Sequence, residues 1–412
     1  MALDVALRVQ RPRSAVDGGV LTMDGIIKIL PVVKDYAWGN DFYIADLLGL
    51  PHDGPKAELW IGAHKSGSAI MDCACGACNG CCCRDLSLAD YIDENPSFLG
   101  IEDSSKFPFL LKILAIGGAL SLQCHPDKEQ AVAGYKAERK GCGFGADCAG
   151  GAASGSSTVF NYQDPNPKAE MLYALTPVTF MCGFRSFEDI KDGFTKVVPN
   201  LWNGYLSKVG SIVEFFHTLY RLPHDVIGQA ALEVVGNKGL LDGLQRFVFD
   251  EIYPKYSDPG ILAPLFLNVE RLEPGQAVYL KPGIIHAYVF GNGVELMNNS
   301  DNVLRAGLTS KHMDVDELER IMSDEPYFPV PMKSTCSAEG LRFATPDGFA
   351  LTVMDHGCFS ISKDGVKLFL CTEGSVVVGD LELSKGQCCI AGADALAFDV
   401  DASNGCVFMA SN

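Results

Sequence analysis

Four short segments carry residues able to act on one small molecule together. Gln123-Cys124-His125-Pro126 closes an apolar run. In an extended chain, residues two apart point the same way, so Ser121, Gln123 and His125 share a face. An amide oxygen and an imidazole nitrogen so placed can ligate one metal, although a hydrogen-bonded core pair is the more ordinary reading of this segment alone. Lys168 and Glu170 also lie two apart, within Asn161–Met171. They offer a cation and an anion on one face, suited to an anionic substrate and a metal; a solvated surface pair is the commoner arrangement. Pro282-Gly283-Ile284-Ile285-His286-Ala287-Tyr288 reads as a turn followed by an apolar strand that carries one histidine inward. Such a histidine is more often a satisfied core residue than a ligand. From Glu295 to Lys311 polar residues are unusually dense for a segment between strands. Glu295, Asp301, Asn302, Arg305 and Lys311 would be costly if buried unpaired, so the segment is either an exposed loop or the lining of a polar cavity.

The elements that must position these residues are mostly strands. Residues 27 to about 125 alternate short apolar runs with Gly- and Pro-containing turns. Residues 184–262 carry apolar residues at three- and four-residue spacing, and Ser186 with Asp189 resembles a helix-capping pair, which predicts a helical insert. Strand patterning returns from about 265 to 310. The stretch 312–335 is acidic and then Pro-rich, as in a linker. Regular short alternating runs from about 337 to 412 predict a small sandwich or barrel. The expected organisation is a flexible tail over 1–26, a catalytic domain in two parts (27–183 and 263–325), a helical domain over 184–262 and a C-terminal β-domain over 326–412.

Composition excludes several classes. The 412 residues carry a net charge of −18, which disfavours non-specific nucleic-acid binding and anionic membranes. That charge also repels a phosphorylated ligand at long range, so any anion site must be a local cluster of Lys, Arg or backbone N–H groups. No run of 18 or more apolar residues is present, and the N-terminus lacks the h-region of a secretion signal. Of 16 cysteines, six crowd residues 73–83, too tightly for good disulfide geometry. The compartment is read as reducing and the protein as cytoplasmic. The tail leaves a transit peptide open. The Cys73–Cys83 stretch reads as a reduced surface insert, with accessory metal binding as the alternative, and the Gly-rich residues 141–157 as a surface loop.

Taken together, the segments resemble the signatures of type I mannose-6-phosphate isomerase (phosphomannose isomerase). The family's S-[LI]-Q-x-H-P-D pattern is met by Ser121 to Asp127. Its Y-x-D-x-N-H-K-P-E motif is met by Tyr162, Asp164, Asn166, Lys168 and Glu170. Its H-A-Y-x-x-G to R-A-G-L-T-x-K run is met from His286 to Lys311. Tyr36–Gly39, Glu58–Gly62 and Phe107–Lys112 also look familial, and the turn before His286 is close to a cupin-type metal motif. The resemblance covers residues 27 to about 325. Pro167, Ala169 and Ser310 depart from it, standing where the family has His, Pro and Pro. Neither the cysteine-rich nor the Gly-rich insert is a familial feature.

The resemblance implies a mainly β fold: two cupin-like jelly-roll barrels with an inserted helical domain, the smaller C-terminal barrel lacking a metal site. It implies one zinc held by Gln123, His125, Glu170 and His286, a set that leaves about one net positive charge on the ion. It implies aldose–ketose isomerisation between mannose 6-phosphate and fructose 6-phosphate through an enediol, supplying mannose precursors for GDP-mannose. Arg305 matches the catalytic arginine that meets charge developing on oxygen. Glu295, Lys311 or a zinc-bound water would transfer the proton, and Ser121, Lys112 and Lys168 would hold the phosphate. A monomer acting on a small sugar phosphate is expected. Two other classes compete: a non-catalytic cupin-like protein that binds sugar phosphate, which has no need of Arg305, and an iron oxygenase, which does not use a Gln ligand.

Overall fold

The structure is a computed structural model and describes residues 25–72, 86–140, 160–362, 364–393 and 395–412. Most of the expected tail, the cysteine-rich insert and the Gly-rich loop lie outside the described residues.

The site is built on strands β1 (Ile26–Leu30), β2 (Val32–Lys34), β3 (Glu58–Ile61), β4 (Ile70–Met71), β5 (Phe109–Ile116), β6 (Leu122–Cys124), β7 (Glu170–Ala174), β8 (Val178–Phe184), β9 (Leu267–Leu272), β10 (Ala277–Leu280), β11 (His286–Asn298) and β12 (Leu304–Gly307). One sheet runs β10-β7-β11-β5-β3-β2, and β11 also pairs with β6 and β8, which carry β12 and β9. β5 and β8 are buried along their whole lengths, as their near-continuous apolar runs require.

β11 is the strand the two ladders share. Its first part pairs with β6 and β8, its second with β5 and β7, and the register shifts between Tyr288 and Phe290. Gly291 stands at the change with φ +119, and a Cβ there would lie 2.4 Å from the Pro177 carbonyl oxygen. Only glycine fits that bend. The two ladders enclose a cavity of about 780 Å³.

The C-terminal strands are β13 (Thr335–Ser337), β14 (Gly340–Ala344), β15 (Ala350–Asp355), β16 (Cys358–Ile361), β17 (Lys367–Val378), β18 (Leu381–Ser384), β19 (Cys388–Ala391) and β20 (Phe398–Ser411). They form a second sheet that also takes in β1 and β4. Ile26–Leu30 therefore pairs with Cys388–Ala391, far across the boundary drawn at residue 326. The expected barrels are two open ten-stranded sheets, since the end strands of neither path pair with each other among the described residues. Alternation of apolar residues specifies strands, not whether a sheet closes. The supposed linker carries a helix, Val315–Ile321, capped by Asp314, and Tyr327 and Met332 then dock on Asn268 and Ala277.

Between β8 and β9 the chain is helical from Phe187 to Phe266. Ser186, Ser211 and Asp242 cap their helices by accepting backbone N–H bonds. Phe194, Phe215, Phe216, Phe249 and Phe266 build the core shared with Leu122, Cys124 and Leu304, so the helices pack directly behind β6 and β12.

Candidate active site

The centre of the site is a cross-strand row. On one side of Gln123 stands His286 of β11 and on the other Arg305 of β12, each its direct antiparallel partner. Directly opposed residues share a face, so all three side chains turn into the cavity, which they line. Cys124, between Gln123 and His125, turns the other way into the core, and burial pushes its thiol up to about 12.

His125, Glu170 and His286 are buried and converge, their ligand atoms all within 4.8 Å of one another. Glu170 Oε1 lies 3.2 Å from His125 Nε2, and Oε2 lies 3.1 Å from His286 Nε2. Each ring is oriented by a carbonyl: His125 Nδ1 is 2.8 Å from Asn302 O, and His286 Nδ1 is 2.9 Å from Ile284 O. A carbonyl only accepts, so Nδ1 carries a proton in both rings and Nε2 is the nitrogen turned to Glu170. Burial, reinforced by Lys168, lowers the His125 pKa to about 4, so that ring is neutral. Burial opposes ionisation of Glu170, but Lys168, His125 and His286 together outweigh it and hold the carboxyl well below the usual range. A lone pair on His125 Nε2 thus faces an ionised carboxylate. Acceptors crowded this way fit a cation placed among them, and imidazole nitrogen with carboxylate oxygen is a donor set zinc takes. Gln123 lies beside this group, in register with His286.

The cationic side chains divide into two kinds. Lys168 Nζ is 3.0 Å from Glu170 Oε1, and Lys112 Nζ is 3.0 Å from Glu295 and 3.7 Å from Glu58, above the Trp60 ring. Burial works against the Lys112 charge, but Glu295, Glu58 and Glu170 prevail and raise its pKa. These two of the three expected phosphate residues already have carboxylate partners. Arg305 and Lys311 line the same cavity, and among the described residues neither side chain has an ion pair or hydrogen bond. Arg305 is half-buried and Lys311 exposed; burial lowers both pKa values, and Arg305 adds to the effect on Lys311. Ser121 lines the wall nearby.

Burial also raises the pKa of Glu295, with Lys112 opposing and Glu170 adding to the rise. The charges on the wall balance: Lys112, Lys168, Arg305 and Lys311 against Glu58, Glu170, Glu295 and Asp301. A divalent ion would leave an excess matching a phosphate dianion, in a chain that is otherwise strongly acidic.

Several contributors were not singled out from the sequence. Tyr288 lines the cavity two residues beyond His286, on the same strand face, and among the described residues its buried hydroxyl makes no hydrogen bond of good geometry. The period of two could have found it. Glu58 and Trp60 lie in the familial-looking Glu58–Gly62 stretch and His64 just beyond it, but nothing local says that they face this cavity. Ala169, a departure from the familial pattern, donates its N–H to Asn298 Oδ1 at 2.9 Å, a bond that proline could not make.

A sequence model of the type I phosphomannose isomerase catalytic domain matches residues 26–187. The mannose-6-phosphate isomerase of Salmonella typhimurium is 34% identical over 400 residues, covering 89% of this chain and 95% of that one. The Escherichia coli protein of the same name is 32% identical over 386 residues, covering 87% and 93%. A zinc-bound crystal structure of mannose 6-phosphate isomerase superposes with a TM-score of 0.80 at 30% identity, covering 94% of this chain and 99% of that one. The apo form from Salmonella typhimurium gives 0.79 at 30% identity, covering 95% and 100%.

Proposed function

The chain belongs to the type I phosphomannose isomerase family, and from that membership and the site we infer that it interconverts D-mannose 6-phosphate and D-fructose 6-phosphate with one zinc ion. The observation that carries the reading is the His125–Glu170–His286 cluster beside the cavity lined by Arg305, whose side chain has no ion pair or hydrogen bond among the described residues.

Gln123, His125, Glu170 and His286 would hold the ion. When bound, zinc supplies Lewis acidity toward the sugar's carbonyl and hydroxyl oxygens. Arg305 meets the negative charge that develops on oxygen as a proton leaves carbon. Glu295 is the group we assign to move the proton between C1 and C2. Its raised pKa makes it a stronger base than an exposed glutamate, while Lys112 at 3.0 Å favours its charged form. Lys311 and Ser121 are assigned to the phosphate, in place of Lys112 and Lys168, because among the described residues no carboxylate neutralises Lys311. Lys168 is assigned to balance Glu170.

Membership of an isomerase family favours turnover over sugar-phosphate binding alone. We further propose that the enzyme is a monomer and works in a reducing, cytoplasmic compartment; all eight described cysteines are free thiols. Among the described residues no helix is long and apolar enough to cross a membrane.

A coupled assay of mannose 6-phosphate isomerisation, run with and without a chelator, tests the reading. Activity that disappears with chelation and returns with zinc is expected. Binding of the sugar phosphate with no turnover in the zinc-loaded protein would favour the non-catalytic reading.

A further inference from the structure

The helical segment supplies none of the residues assigned above, yet its last turns hold both arms of the cavity that receive the substrate's charge. Asp258, only 6% exposed, opens the short turn Pro259–Leu262 and accepts the Gly260 N–H at Oδ1, 2.8 Å away. The same oxygen accepts the Leu308 N–H at 2.9 Å, and Oδ2 accepts the Thr309 N–H at 3.1 Å. Leu308 has φ +53, a left-handed conformation that a bulky side chain rarely adopts unaided.

The joint has no slack. A Cβ on Gly307 would stand 2.7 Å from Asp258 Oδ1 and 2.8 Å from Gly260 Cα. Beside it the Tyr220 hydroxyl donates to the Ala306 carbonyl. Arg305 and Lys311 flank this turn on either side. Two residues before Asp258, Tyr256 donates its hydroxyl to Ala119 O at 3.3 Å, in the turn that leads to Ser121.

We propose that Asp258 is a positioning residue: by gathering three backbone N–H groups it keeps the Gly307–Thr309 turn left-handed and so aims Arg305 and Lys311 into the cavity. Arg305 and Lys311 repel one another and lack a counter-ion among the described residues, so the segment between them must be held from outside. The helical segment does this, and thereby sets the distance from the metal cluster to the phosphate end. This rests on the assignment of Lys311 and Arg305 to the substrate's charge.

Asp258→Asn tests it, because the amide keeps the size but turns one acceptor into a donor facing an N–H. The probe is inorganic phosphate as a competitive inhibitor, read beside KM, zinc content and Tm of the zinc-loaded enzyme. Phosphate inhibition and KM are expected to weaken together by about tenfold or more, with zinc still bound. Adding Leu308→Gly should recover much of the loss, since glycine takes a positive φ freely. A lowered Tm with parent-like inhibition, or no recovery in the double variant, would overturn the proposal. If Asp258→Asn does not fold, Asp258→Glu keeps the charge while displacing the oxygens. Weakened inhibition again supports the role, and parent-like inhibition overturns it. Lys311→Ala separates the two readings. If that variant leaves phosphate inhibition unchanged, the charge assignment has failed; if it weakens inhibition while Asp258→Asn does not, only the role of Asp258 has failed.

Discussion

Gln123 and His286 face each other directly across β6 and β11, and Gln123 meets Arg305 on its other side. One strand residue thereby fixes the spacing between a ligand histidine and the guanidinium that meets the developing charge. With an amide in this place the ion keeps about one net positive charge from its ligands. Gln123→Glu cancels it without changing shape. Zinc should bind more tightly in chelator competition, while kcat falls on the order of tenfold or more as the electrophile weakens. An unchanged zinc affinity would show that Gln123 is not a ligand.

Arg305 and Lys311 line one cavity but should fail differently. Arg305→Ala removes a donor used in the transition state and should lower kcat by about 100- to 1000-fold, with zinc content unchanged. Lys311→Ala should raise KM for mannose 6-phosphate and leave kcat nearly intact. Steady-state kinetics on both variants would reveal an exchange of roles if Lys311→Ala lost kcat instead.

Lys168 sits 3.0 Å from Glu170 and 3.5 Å from His125. In the zinc-free protein it is the principal counter-charge of a buried carboxylate. Lys168→Met should therefore destabilise the chelated protein by about 3 kcal/mol, and zinc should restore most of that because the ion takes over the same carboxylate. The rise in Tm on adding zinc should be larger in the variant than in the parent. Equal rises, with KM alone impaired, would return Lys168 to the phosphate.

What could be read beforehand follows from the range of the signals. Gln123 and His125, like Lys168 and Glu170, lie two apart where β6 ends and β7 begins, and a local period of two places such pairs on one face. The pairing of Lys112 was not legible because its partner Glu295 is 183 residues away, and only the β5–β11 register brings them together. β1 reads as a strand from its own residues, but nothing in them says that it joins β19 and not β2 or β3. Asp258 lies near the end of the helical segment, where nothing in the neighbouring sequence marks it out. Its hydrogen bonds cross fifty residues to a leucine whose positive φ no local pattern announces.

His64 allows a test of how the β3 end of the cavity is held. Its ring packs edge-on against Trp60, and Nδ1 accepts the Ser66 N–H at 3.1 Å, leaving Nε2 to face Asp301 at 3.4 Å. Burial lowers its pKa from 6.5 to about 4, with Lys112 and Lys65 assisting and Asp301 opposing. The unfolded chain therefore takes up a proton that the folded chain refuses between these values. The neutral ring's contribution is complete above about pH 6.5 and is lost as the pH falls towards 4, amounting to about 3 kcal/mol at most. Urea unfolding of the parent should show this loss between pH 7 and 4.5 on top of the common carboxylate effects, while His64→Gln, which does not titrate, should lack it. Stability curves that stay parallel across that window would mean that the folded protein accommodates the charged imidazolium, and that His64 is not held as a neutral acceptor.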